Sequence, residues 1–147
     1  MKSLVTAVAL QAILLSAYLP LTAASAAPSS QDLVSAIEKA KVLSTGTRVA
    51  ASVNGAEAYV STYRNARATD DDCKIEAILV AKTIMDLAPA DISRVTVYFY
   101  NALRLNKRKE VAVTAGDVKA FGAGQLSQEQ LLASIAIKDT ELNDPAA

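Results

Sequence analysis

The residues able to do chemistry are few and concentrated. The single cysteine, Cys73, stands directly behind Asp70, Asp71 and Asp72 in the stretch ATDDDCK. A thiolate beside a base is a nucleophile, clustered carboxylates bind calcium or magnesium, and an unpaired cysteine in an exported chain can bridge to a partner. The spacing argues against the first two. Calcium loops place acidic residues at alternating positions with a glycine at the bend, and three adjacent aspartates cannot all face one ion. With Thr69 as N-cap they instead take the first turn of a helix, where free N–H groups and the dipole favour anions. Along that helix Cys73, Ala77, Val80, Ala81, Ile84, Leu87 and Ala88 share one side, with Ile78 and Met85 at its border, so Cys73 reads as a core residue.

The chain has no histidine and no tryptophan. The missing histidine removes Ser-His-Asp and Cys-His catalysis, the usual general base near neutral pH and nearly all zinc-site patterns. Residues 122–124, GAG, lack the spacing of a phosphate cradle and read as a turn. No metal site and no cofactor motif emerges.

The amino terminus supplies an address. Lys2 precedes an apolar run from Leu4 to Leu19; Pro20 breaks it, and Ala24-Ser25-Ala26 matches the small-residue cleavage pattern of a secretory signal. The competing reading is an uncleaved anchor, since the run approaches the ~20 residues that span a bilayer. Cleavage after Ala26 is the expectation, giving an exported protein, periplasmic or extracellular, with no integral membrane span. The 15 basic and 15 acidic residues balance, so no global field steers the chain to nucleic acid or membrane. With one cysteine, an intramolecular disulfide cannot replace a hydrophobic core.

The elements that must position any site follow from periodicity and turn signals. Residues 27–142 read as a single α+β domain in the order α-ββ-α-ββ-α, with a frayed tail over 143–147. A helix over 31–44 is capped by Ser29 or Ser30 and closed by Gly46. Asn54-Gly55 between alternating runs marks a hairpin, with Val53 paired to Ala56, Ala51 to Ala58 and Val49 to Val60. The second helix runs from Asp70 to Leu87, before Pro89. RVTVYFY and EVAVT form a second hairpin whose tip carries RLNKRK. A last helix begins at Ser127, with Gln130 at its third position and Leu126 stapled to Leu131. The natural assembly is a four-stranded antiparallel sheet with helices on its valine face. Two helices cover one face of such a sheet, which sends the third elsewhere.

Three surfaces then offer binding chemistry. Alternation places Tyr59, Tyr63, Arg94, Tyr98 and Tyr100 opposite the valines, and tyrosine and arginine are residues of interface hot spots. The alternative is that these are cross-strand pairs under a covering helix. Ile75 and Leu79 lie off the core side of the second helix, packed by another helix or open to a partner, including a second copy of the chain. Arg104, Lys107, Arg108 and Lys109 at the expected hairpin tip either contact an anionic surface or are solvated charges that discourage edge pairing. Taken together, the sequence predicts an exported, non-catalytic module that binds a protein or cell-envelope component. A small-ligand carrier with a pocket between sheet and helix is the alternative, and an enzyme without histidine chemistry ranks last.

Overall fold

Four helix starts are written locally. Ser29, Thr69, Thr114 and Ser127 each cap a helix by a reciprocal capping box with the residue three positions on, Asp32, Asp72, Asp117 and Gln130. The computed structural model describes residues 26–44 and 47–143, so the expected signal segment (save residue 26), Gly46 and the last four residues of the tail lie outside it. The elements are α1 (Ser30–Ala40), β1 (Val49–Asn54), β2 (Glu57–Tyr63), α2 (Asp70–Leu87), β3 (Arg94–Asn101), β4 (Arg104–Thr114), α3 (Ala115–Gly122), α4 (Gln128–Ser134) and β5 (Ile137–Glu141). The class is α+β, but the sheet is mixed and has five strands, in the order β1-β2-β3-β4-β5.

Four corrections to the expected architecture have physical causes. First, β2 and β3 are parallel, with Tyr59 beside Thr96 and Tyr63 beside Tyr100. The 18 residues of α2 extend roughly 27 Å, enough to carry the chain back along the sheet, so β3 starts at the same end as β2. Second, the last helix stops at Ser134, and Ile135 is already extended at φ −89°, ψ 118°. β-Branched Ile137 then meets Val111, and Lys109 meets Asp139, so the segment becomes a strand on the open edge of β4. Third, α1 ends at Ala40, closed by Lys41 in the left-handed region at φ 53°.

The fourth correction concerns the first hairpin. Its closing pair is Asn54 with Glu57, leaving Gly55-Ala56 as the turn, so Val53 pairs with Ala58, Ala51 with Val60 and Val49 with Thr62. Gly55 alone takes positive φ, +60°, whereas an Asn-Gly turn would need positive φ at both residues. The register moves by two positions, an even number, so each side chain stays on its expected face.

All four helices feed one core. Leu33 and Ile37 of α1, Cys73, Ala77, Val80 and Ile84 of α2 and Leu131 of α4 cluster with Val60, Val95, Val97, Phe99, Val111 and Val113. α1 packs on β1 and α2, α2 spans β3 and β4, and the two short helices α3 and α4 pack beside α2. The fifth strand widens the sheet to roughly 24 Å, and the short α3 and α4 share the remaining width, so no helix is displaced to the other side. Among the described residues, no helix lies over the tyrosine face.

Candidate binding surface

The tyrosine face is built from three adjacent strands. Alternation along β2, β3 and β4 brings Tyr59, Ser61 and Tyr63 beside Thr96, Tyr98 and Tyr100, which in turn pair with Ala112, Glu110 and Arg108. The Tyr59 and Tyr98 rings stack with centroids 6.3 Å apart and planes 6° from parallel. Arg108 lays its guanidinium 4.0 Å from the centre of the Tyr98 ring, and its Nη1 donates to the Tyr100 hydroxyl at 3.0 Å. Glu110 lies 3.9 Å from the same guanidinium. At the far end of the row the Tyr59 hydroxyl donates to Glu57, whose other carboxylate oxygen is 3.8 Å from Arg94.

The electrostatics of the two stacked phenols disfavour proton abstraction by them. The hydrogen bond to Glu57 raises the Tyr59 phenol above its ordinary value, and burial followed by Glu110 raises that of Tyr98. Both phenols are therefore further from serving as bases at neutral pH than a free tyrosine. What the face offers is ring area, hydroxyl donors and fixed charge at its margins.

One end of the face opens into an apolar cleft of about 460 Å³, lined by Arg48, Ala50, Ser61, Tyr63, Tyr100 and Leu105. A bulge creates it. Tyr100 pairs with Arg108, but the next residue, Asn101, pairs with Arg104, so residues 105–107 have no partner on β3. Lys107 stays paired to Glu141 of β5, and the Leu142 N–H donates to Asn106 O at 2.7 Å. The chain thus peels away from β3, and Leu105 comes to rest beside Tyr63 and Tyr100.

The structure brings Tyr59, Tyr63, Arg94, Tyr98 and Tyr100 onto one surface, and adds Arg108 as its organiser. The basic run does not form a tip: Arg104 to Lys109 lie within β4, and alternation disperses them. Lys107 stands 3.7 Å from Glu141, and Lys109 sits between Asp70 and Asp139 at 2.9 Å from each. Only Arg104 adjoins the turn. Ile75 and Leu79 are exposed on the outer side of α2, across the domain from the tyrosines, with no helix of the described residues packed over them. Leu103 and Leu105 escaped the sequence reading; their signal was a pair of leucines flanking Arg104 where a turn ordinarily holds small or polar residues.

The acidic run is accounted for by structure. Asp72 closes the cap with Thr69, Asp70 pairs with Lys109, and no group of three metal-ligating side chains occurs among the described residues. Cys73 is buried, and burial pushes its thiol up to about 11. Comparison with protein-family models, with curated proteins and with solved structures finds no match in any of the three.

Proposed function

We propose that this chain is an exported, non-catalytic interaction module whose tyrosine face binds a protein or cell-envelope component. The observation that carries the reading is a helix-free sheet face on which Arg108 holds Tyr98 and Tyr100 and Tyr59 stacks on Tyr98. Rings held in place by stacking lose little conformational entropy on docking, which is the property of a hot spot. Export draws on the amino-terminal pattern alone. A carrier with its pocket between sheet and helix draws on less, because that space is filled by the aliphatic side chains of the core.

The test uses Tyr63, a residue 39% exposed at the end of β2 and outside the core cluster. Tyr63→Ala is expected to change stability by no more than about 1 kcal/mol while recovery of a partner from envelope extract falls at least tenfold. Undiminished recovery by Tyr63→Ala and by Tyr98→Ala, each checked for folding, overturns the proposal.

A further inference from the structure

We infer that the end of the sheet carrying the β3–β4 turn is a contact site for the surface of an anionic phospholipid bilayer. This site shares Tyr63 with the tyrosine face but not the stacked rings of Tyr59 and Tyr98, and it stands whether or not those rings bind a partner; Tyr98→Ala, outside the lipid site, separates the two. Leu103 is 91% exposed and Leu105 60%, and Tyr63, itself exposed, lines the same cleft as Leu105. A solvated two-residue turn ordinarily uses glycine, asparagine, aspartate or serine; here it is Ala102-Leu103. The turn is also fixed. Asn101 Oδ1 accepts from the Leu103 N–H at 2.9 Å and the Arg104 N–H at 3.2 Å, so the leucine is held outward.

Charge selects the occupant. Arg104 follows Leu103 directly, Arg48 lines the same cleft as Leu105, and the Arg64 N–H is bonded to Tyr100 O at 2.8 Å, tying the end of β2 to the hairpin. None of these three arginines has an ion-pair partner among the described residues, whereas nearby Asp70, Asp139 and Glu141 are matched by Lys109 and Lys107. The result is an apolar turn with Arg104 beside it and Arg48 in the adjoining cleft, neither in an ion pair among the described residues. Leucines of this kind enter the headgroup boundary, arginines take phosphates, and tyrosines sit at the interface. A specific protein interface covers ~800 Å² per partner, far more than two leucines present, whereas a lipid surface requires no shaped counterpart.

The sequence contains no tryptophan, so Leu103→Trp installs a single reporter at the most exposed point of the turn. Vesicles of phosphatidylglycerol are expected to shift its emission to shorter wavelength, vesicles of phosphatidylcholine to do so weakly, and high salt to reverse the effect. Arg104→Glu in the same background should weaken vesicle partitioning about thirtyfold, as expected when one interfacial charge is reversed, a change of two units. Circular dichroism verifies that both variants fold. Because the reporter reads the turn itself, binding by the amino-terminal segment does not mimic the result. Unchanged emission with phosphatidylglycerol, even if the protein sediments with the vesicles, overturns the inference. So does an equal shift on both lipids that Arg104→Glu leaves intact, or a shift produced only by delipidated envelope protein.

Discussion

Arg108 and Tyr98 form the centre of the tyrosine face, the guanidinium carbon standing over the ring 4.0 Å from its centre. The same group reaches Tyr100, 5.8 Å away by ring centre, and Glu110. A lysine presents a point charge and cannot stack and donate in a fork at once. Arg108→Ala is therefore expected to cost about 1–2 kcal/mol in denaturant unfolding, from the cation–π contact and the bond to the Tyr100 hydroxyl. Arg108→Lys should recover less than half of that loss. Full recovery by lysine would show that charge alone matters at this position.

Lys109 ties the start of α2 to β5 through Asp70 and Asp139. Its hydrogen bond holds the Asp70 carboxyl below the usual carboxylate range, while the Ser29 and Thr69 caps do the same for Asp32 and Asp72. A carboxylate whose folded value is depressed stabilises the fold fully above its unfolded value, about pH 4, and this is lost as pH falls through the folded value. The Lys109 ammonium is raised, chiefly by its hydrogen bond to Asp139, so its share persists up to about pH 10.4 and is lost above. In Lys109→Met, the urea midpoint is expected to drop less between about pH 6 and about pH 3 than in the parent. An unchanged drop would place the acid sensitivity in the caps alone.

Cys73 sits within the aliphatic core and its thiol is raised to about 11, so at neutral pH almost no thiolate exists and no reagent reaches it. Thiol labelling is expected only after denaturation, with no dimer on a non-reducing gel. Cys73→Ala should cost about 1–2 kcal/mol, less than a leucine truncation. Labelling of the folded protein at the unfolded rate would contradict the burial.

What the sequence made legible was local. The cap at Thr69 and Asp72 and the opposition of tyrosines to valines depend on neighbours within a few residues, and each appears in the structure, as does the apolar side of α2 except for Leu87, which at the helix end is exposed rather than in the core. The misread features depend on partners far along the chain. Residues 137–141 become a strand because β4 presents an open edge, which the alternation IKDTE does not announce by itself. The parallel pairing of β2 with β3 follows from the length of α2 as a crossover, a relation between elements that no single segment contains. The bulge over residues 105–107 exists because β5 holds Lys107 while β3 lets it go, and the apolar cleft depends on that competition.

The first hairpin gives the sharpest check on register. Gly55 takes φ +60°, and a Cβ built there meets nothing within 4 Å, so any cost of Gly55→Ala comes from the backbone alone. A left-handed alanine costs about 1–2 kcal/mol. Asn54, by contrast, is the last residue of β1, and its φ is not positive. Asn54→Ala is therefore expected to stay within about 0.5 kcal/mol. The asymmetry identifies Gly55-Ala56 as the turn, and cross-strand proton contacts between Val53 and Ala58 should accompany it. Equal losses at Asn54 and Gly55, with contacts from Val53 to Ala56 instead, would return the hairpin to an Asn-Gly turn. The faces of the sheet would survive that change, since the shift is even, but Ser61 would no longer lie opposite Ala50, and the cleft between β1 and Leu105 would lose its floor.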